Sequence, residues 1–474
     1  MGEAEIIDSG PKRVQGDGEG PSRRGEAWDP CGRNGCGGSV REGGRKGFLG
    51  RAGRKVGGSG LSVFPWKSVN RILYRAWYRA RNGPVLALSR RWTGDFLEWK
   101  GPPREEGRIL VLAWGRIGDV VLSHPFLAGL RRTYPGERIT WVGRPETRFL
   151  LEGKVDRFLP FSPQRWRSDR SYREDFLSSV WKKWKVVAGD VHFFFGGLFF
   201  LGPLARCLPA EEKFFYEGYA PPPDLAPWRP FPGDAVLVAS LPKEADRKGD
   251  PRALHVYRDT IHFVSRIYGP AAEREGPPAS MEEAVFPLEG EEGGPGRFGA
   301  EGGPYIVVQP GSNSPRRSYP AGSWRKVLGS FPGERFFVLG TERERGAAGA
   351  LGLPNVVDLS GKTSLRECVS LIRGARAFLG LDSGLAHIAA HLGKPALCLV
   401  QSSNLGYFVP YPPDFPGRGP VAVSDPDFLE CSGCFMVCSR ESLAANAGKG
   451  LPCLRSIPPG RAVEALGDLL EGRD

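Results

Sequence analysis

Short, almost uninterrupted apolar runs recur along most of this chain, separated by polar turns and by stretches with helical spacing. RILVLA (108–113), ITWVG (139–143), AVLVAS (235–240), YIVVQ (305–309), FFVLG (336–340), VVDLS (356–360), AFLGL (377–381) and ALCLV (396–400) are all of strand length. None alternates apolar with polar positions, so the pattern predicts strands buried on both faces, as in parallel sheets. A further strand is expected at 155–158. The intervening stretches 120–134, 323–331, 365–374 and 385–392 carry apolar residues at helical spacing, and so do 255–268 and 461–470. Strands that alternate with helices predict doubly wound α/β domains. Two such series are present, one over 107–290 and one over 304–460. A Gly, Pro and Glu-rich stretch, 270–303, ends the first series, and its last part, 291–303, is expected to be the linker.

The segment AFLGLDSGLAHIAAHLGKPALCLV (377–400) reads as strand, turn, helix and strand. The N–H groups of Ser383, Gly384 and Leu385 then lie at a helix N-terminus, where unpaired donors and the helix dipole favour a phosphate. Gly384 allows close approach to the backbone, and His387 in the first turn is within reach of the same anion. The residues fit a plainer reading equally well, in which Asp382 or Ser383 caps a helix and His387 packs against it.

The first hundred residues differ from the rest. Residues 1–60 have few large apolar side chains and many Gly, Arg, Ser and Glu, so they bury too little to offset the entropy of ordering and are expected to be disordered. Within 61–106, Arg71, Arg75 and Arg79 recur every four residues, offset from Trp66, Val69, Leu73 and Trp77. That is a basic amphipathic helix, suited either to an anionic membrane surface or to docking on the protein's own body. The net charge of +12 suggests nucleic acid at first, but residues 1–60 hold 11 basic and 8 acidic side chains and 61–100 hold 8 and 2. The remainder is nearly neutral, which argues against a nucleic-acid partner. Nine cysteines without regular spacing, and no leader pattern, are expected of a reduced, cytoplasmic protein. The apolar run 191–208 contains paired Gly, a Pro, His192 and Arg206, so it reads as a buried strand, a tight turn and the start of a helix, not as a membrane span.

RILVLAWGRIGDVVLSHPFLAGLRRTYP (108–135), VVQPGSNSPRRSYPAGSW (307–324), LGTERE (339–344), VVDLSGKTSLRE (356–367) and GLDSGLAHIAAHLGKP (380–395), in this order and spacing, resemble glycosyltransferase family 9, the lipopolysaccharide heptosyltransferase family. The resemblance spans roughly 107–465. It implies a GT-B fold, two Rossmann-like doubly wound domains facing a central cleft, with the first binding the acceptor and the second the nucleotide-sugar donor. A last helix, 461–474, crosses back to the first domain. It also implies inverting transfer of a sugar, a heptose from ADP-heptose, to a lipid-linked lipopolysaccharide core acceptor at the cytoplasmic face of the inner membrane, with no cofactor and no metal in the chemistry. A relative with a different nucleotide-sugar donor and glycan acceptor, or a non-catalytic nucleotide or carbohydrate binder, is the alternative. An NAD or flavin oxidoreductase is disfavoured, because no G-x-G-x-x-G follows the first strand of either domain.

Residue by residue, the resemblance implies that Asp119 is the general base, with Gly118 and Arg116 beside the acceptor. A carboxylate is needed there because the acceptor hydroxyl must lose its proton as it attacks the anomeric carbon. The residues alone also allow Asp119 to be a helix cap. Arg317 falls where the family carries a Lys in a Lys-Arg-Trp-Pro run and is expected to neutralise the leaving diphosphate, with Arg316 a competing candidate. Ser312 lies in the same donor loop. Asp382, Ser383, Gly384 and His387 match the family's DSG-x-x-H element, which grips the diphosphate. Glu342 or Glu344 is placed to hold the ribose hydroxyls, and Lys362, Thr363, Ser364 and Leu365 lie near the base. Cys431, Cys434, Cys438 and Cys453 form either a structural zinc site or a set of ordinary buried thiols.

Overall fold

The computed structural model describes residues 106–189, 208–216, 235–238, 296–312, 314–345, 351–431 and 451–473, with shorter pieces at 201, 204–205, 255–257, 260 and 288. The expected tail, the basic helix of 61–106, most of the 191–208 run, most of the 255–268 helix, and Cys434 and Cys438 lie outside the described residues.

Two six-stranded parallel sheets carry the fold. The first is built from β1 (Glu106–Leu112), β2 (Ile139–Gly143), β3 (Arg157–Pro160), β4 (Lys183–Gly189), β5 (Ala210–Tyr216) and β6 (Ala235–Val238), in the order β3-β2-β1-β4-β5-β6. The second uses β7 (Ile306–Gln309), β8 (Phe336–Val338), β9 (Val356–Asp358), β10 (Ala377–Leu381), β11 (Ala396–Leu399) and β12 (Val421–Val423), in the order β12-β11-β10-β7-β8-β9. Each sheet winds outward in both directions from its first strand. This leaves a crevice at the carboxyl ends of β1 and β4 in one lobe and of β7 and β10 in the other.

The described helices are α1 (Ile117–Leu122), α2 (His124–Thr133), α3 (Pro163–Ser168), α4 (Arg170–Val180), α5 (Ala321–Gly329), α6 (Leu365–Gly374), α7 (Gly384–His391), α8 (Pro452–Arg455) and α9 (Pro459–Glu471). Ile109, Val111, Val307 and Phe378 are fully buried, as expected of strands covered on both faces. The outer face of the first sheet packs Leu110, Leu112 and Val187 against Trp166, Phe176 and Val180 of α3 and α4. The outer face of the second packs Ile306, Val308 and Leu379 against Trp324 of α5 and Leu466 of α9. A single apolar cluster joins the inner faces, running from Ile109, Val121 and Phe126 through Tyr257 to Ile388, Tyr411 and Phe378.

Three elements differ from expectation. The helix expected over 120–134 is broken at Ser123. Pro125 has no N–H to donate to the preceding turn, so α1 stops at Leu122 and α2 restarts at His124 with Pro125 as its second residue. β5 follows no alternating or continuous apolar run, since AEEKFF is half charged, and the sequence reading passed over it; the third strand also starts two residues later than expected. The final helix does not cross back in the described contacts. α9 packs on α5, β11 and β12 of its own lobe, because Ala462, Leu466 and Leu469 form an apolar stripe that the outer face of the second sheet buries. The end of the expected linker is also tied to the second lobe, with Arg297 paired to Glu367 at 2.9 Å.

Candidate active site

Asp119 is the third residue of α1, directly beyond the carboxyl end of β1. Its Oδ2 accepts a hydrogen bond from the Arg116 backbone N–H at 2.7 Å, closing a capping box. Gly115 makes this possible, because a Cβ there would lie 2.8 Å from the Asp119 Cβ. Desolvation by burial raises the carboxyl above the usual aspartate range, opposed by the Arg116 N–H and by the charges of Arg116, His387 and Arg144. Both roles expected of Asp119 are therefore compatible: one oxygen caps the helix, and the raised pKa makes the carboxylate a better proton acceptor than an ordinary cap.

The facing element is the N-terminus of α7. Gly384 touches α1, since a Cβ on Gly384 would lie 2.8 Å from Ile117 Cγ2 and 3.1 Å from the Gly118 nitrogen. A Cβ on Gly118 would in turn lie 3.0 Å from His387 Cδ2 and 3.3 Å from Gly384 Cα. Two glycines thus let the starts of helices from different lobes meet backbone to backbone. Ser383 and Gly384 stay partly exposed, so the corner is narrowed by α1 but not sealed.

Asp382 is buried and forms the hub of the corner. Its Oδ1 lies 3.3 Å from His387 Nε2, its Oδ2 accepts from Asn404 Nδ2, and its backbone carbonyl accepts from the Arg317 guanidinium, which also lies 3.9 Å from Oδ2. Burial would raise this carboxyl, but the His387 and Asn404 hydrogen bonds and the charges of His387 and Arg317 outweigh it and hold the group below its ordinary value. Ser383 donates its hydroxyl hydrogen to Gln309 at the end of β7. The expected residues Asp119, Gly118, Arg317, Asp382, Ser383, Gly384 and His387 are thereby gathered around the two crevices.

His387 differs from expectation in one respect. Both of its ring nitrogens are engaged, Nε2 with Asp382 and Nδ1 with the Tyr411 hydroxyl at 2.7 Å, and the residue is buried. Its charge reaches the corner, while its nitrogens are committed to the protein.

Other expected residues have local partners. Arg116 is exposed as the residue before α1. Ser312 accepts from the Ser314 N–H at 3.4 Å, and the Arg316 carbonyl accepts from the Leu451 N–H at 2.7 Å. Glu342 pairs with Arg345 at 2.7 Å, and Glu344 accepts from both the Thr341 N–H and hydroxyl. Lys362 donates to the Asp358 carbonyl, Thr363 contacts the Cys368 thiol, and Ser364 caps α6, of which Leu365 is the first residue. These groups line the carboxyl ends of β8 and β9, and no described interaction joins them to Asp382 or His387. Cys453 is a buried free thiol, and no cluster of metal-ligating side chains occurs among the described residues.

Gln309, Asn404 and Tyr411 were missed by sequence reasoning. Asn404 had a signal: the polar run QSSN (401–404) directly follows an apolar strand, at the carboxyl end where open α/β sheets bind ligands. Arg144 was also missed. Its guanidinium lies 3.6 Å from the Trp114 ring centre, and it donates to the Trp114 carbonyl beside the Asp119 loop.

Comparison with known proteins places this geometry. The family whose model matches residues 251–415 is glycosyltransferase family 9 (heptosyltransferase). The chain is 26% identical over 349 residues to lipopolysaccharide heptosyltransferase 1 of Pseudomonas aeruginosa, covering 69% of this chain and 86% of that protein. Among solved structures, the glycosyl transferase family 9 protein of Veillonella parvula superposes with a TM-score of 0.53 at 18% identity, over 77% of this chain and 97% of that one. The ADP-heptose lipopolysaccharide heptosyltransferase II of E. coli superposes with a TM-score of 0.51 at 19% identity, over 77% and 99%. The two structural likenesses identify the fold as the two-lobed GT-B architecture.

Proposed function

The chain belongs to glycosyltransferase family 9 and is a glycosyltransferase, and from that premise we propose that it is an inverting enzyme carrying a heptose from ADP-heptose to a lipid-linked lipopolysaccharide core acceptor. The observation that carries this reading is the meeting of Asp119 on α1 with the Asp382-Ser383-Gly384 start of α7. A group with a raised pKa, suited to take a proton, faces a corner built to hold negative charge.

In this mechanism the acceptor hydroxyl lies against Asp119 and attacks the anomeric carbon from the face opposite the leaving group. Asp119 takes the hydroxyl proton, the bond from the anomeric carbon to the diphosphate oxygen breaks, and the product has inverted configuration. The departing diphosphate gathers charge at the Arg317 guanidinium and at the N–H groups that begin α7, which are preorganised and need no reorientation as charge develops. Asp382 holds Arg317 through its carbonyl and is itself held by His387 and Asn404. Gly118 and Arg116 lie on the acceptor side, with Ser312 and Arg316 in the loop after β7. These cationic and dipolar groups supply the positive charge that the diphosphate needs, so the reaction proceeds without a metal.

A different donor base remains the second reading. It is favoured by one observation: Glu342, Lys362, Thr363 and Ser364 are engaged by local partners. No helix among the described residues is long and apolar enough to cross a membrane. A lipid-linked acceptor therefore calls for a peripheral enzyme at the cytoplasmic face of the inner membrane, with 61–106 as its membrane-facing segment. The test is transfer from a panel of nucleotide sugars to core-deficient lipopolysaccharide, with the configuration of the product read by NMR. Inverted heptose transfer from the ADP sugar is expected. Transfer with retention, or no transfer from any donor, would overturn the reading.

A further inference from the structure

Behind the donor corner runs a buried chain of polar groups that neither the family pattern nor the mechanism uses. His387 Nδ1 meets the Tyr411 hydroxyl at 2.7 Å, the Tyr411 and Tyr257 hydroxyls are hydrogen-bonded to each other, and the Tyr257 hydroxyl meets His391 Nε2 at 3.0 Å. His391 Nδ1 lies 2.8 Å from the His387 carbonyl oxygen, which can only accept, so that nitrogen carries a hydrogen. At the other end, His387 Nε2 faces the Asp382 carboxylate at 3.3 Å, so it too carries a hydrogen.

Between these ends stand three hydrogen bonds and only two hydroxyl hydrogens. Burial pushes both phenols well above their ordinary range, so each keeps its single proton. The third hydrogen must come from an imidazole, and one of the two histidines therefore carries protons on both nitrogens. The surroundings decide which. His391 sits edge-on to His124, a buried ring that burial keeps neutral, at a centroid distance of 5.6 Å. His387 faces the Asp382 carboxylate directly, and Asp119 on α1 also feels its charge. The other titratable groups around it are Arg317 on the far side of Asp382, Tyr411 and Tyr257, His391 on its own helix, and Cys398 of β11, whose thiol is driven up by burial and by Asp382. Two carboxylates against one arginine favour the positive charge at His387.

We infer that the Tyr411–Tyr257 hydroxyl bridge locks His387 as a permanent imidazolium, which makes Tyr411 a positioning residue that sets the charge facing Asp119 and the donor corner. The His387 ring edge abuts Gly118, one residue before Asp119. From there the cation offsets part of the desolvation that raises the Asp119 carboxyl. This last consequence rests on the proposed role of Asp119; the charge on His387 does not.

The test uses full-length protein with 15N-labelled histidine, the His387 signals being assigned by their loss in His387→Gln. In the wild type both ring nitrogens of His387 should show protonated shifts up to pH 8. Tyr411→Phe and Tyr257→Phe each break the three-bond chain and leave enough hydroxyl hydrogens for what remains, so either variant should convert His387 to a neutral ring at pH 8. The acid limb of kcat should then move to higher pH by about one pH unit as Asp119 loses its neighbouring cation. A neutral His387 in the wild type at pH 7, or an imidazolium that survives in both Phe variants, would overturn the inference. Two variants and the wild-type spectrum keep the test decisive if one of them fails to fold. The ring shifts need no substrate, so their failure is distinct from that of the proposed function, which falls if Asp119→Asn keeps its turnover.

Discussion

Asp119→Asn and Asp119→Ala separate the two jobs of one side chain. The 2.7 Å bond from the Arg116 N–H to Oδ2 caps α1, and an asparagine amide oxygen can accept it equally well. Asn should therefore cost at most a few tenths of a kcal/mol as a cap, whereas Ala loses the bond and about 1 kcal/mol. Charge adds a second effect. Burial raises the Asp119 carboxyl in the folded protein, so the folded state holds that proton more tightly than the unfolded chain does. The contribution to stability is complete below the unfolded value and is lost as pH rises through the raised folded one. At pH 7 the ionised group is a net burden, and Asp119→Asn should melt at or above the wild-type temperature, the difference closing as pH falls below that raised value. Asp119→Ala should melt lower, by about 2–4 °C for a domain of this size. Turnover, read as nucleotide diphosphate release, should fall about 10²–10⁴-fold in both, which is roughly 2.7–5.4 kcal/mol of barrier. In the wild type the acid limb of kcat/KM should lie above the ordinary aspartate range. An Asn variant with turnover within about tenfold of wild type, or one destabilised as much as Ala at pH 7, would refute the reasoning.

Arg317→Ala removes a charge-assisted donor from the corner and should raise the donor KM about 10–100-fold, by the roughly 1.5–3 kcal/mol such bonds carry; Arg317→Lys should recover only part, because an ammonium cannot span the Asp382 carbonyl and a phosphate in one plane. Unchanged donor KM in the Ala variant would remove Arg317 from the donor site. Gly384→Ala forces a methyl to 2.8 Å from Ile117 Cγ2 and should cost about 1–3 kcal/mol in chemical unfolding, whereas Gly460→Ala, with nothing within 4 Å, should be neutral or stabilising. Equal effects at the two glycines would show that the α1–α7 contact does not form in solution. Arg366 of α6 pairs with Glu152 of the first lobe and lies 5.0 Å over Phe149, but both charges are substantially exposed. A double-mutant cycle should yield no more than about 1 kcal/mol, and a larger coupling would mark the pair as a true latch between the lobes.

Much of the fold was legible because buried parallel strands announce themselves. Residues such as RILVL and AFLGL can be satisfied only between two apolar layers, and the helix-spaced stretches between them leave a doubly wound sheet as the simple solution. β5 was not legible. Its charged AEEKFF run is stabilised by pairing with β4 and β6, a long-range fact that no local pattern contains. The direction of α9 was hidden for the same reason: an apolar stripe says that a helix must be buried, but not against which lobe.

At the candidate site, the chain alone determined which residues have suitable chemistry: a carboxylate after the first strand, an arginine pair after the seventh, and a helix start after the tenth with Asp, Ser and Gly. Local spacing suffices for this, because turn and cap chemistry is written within a few residues. Only the tertiary structure decided that Gly118 and Gly384 bring two helix starts into contact, that Asp382 is a hub for Arg317, His387 and Asn404, and that both His387 nitrogens are committed. Those outcomes depend on burial and on partners more than a hundred residues apart, such as Tyr257 and His391. Desolvation and hydrogen-bond direction are properties of the assembled interior, and no stretch of sequence carries them by itself.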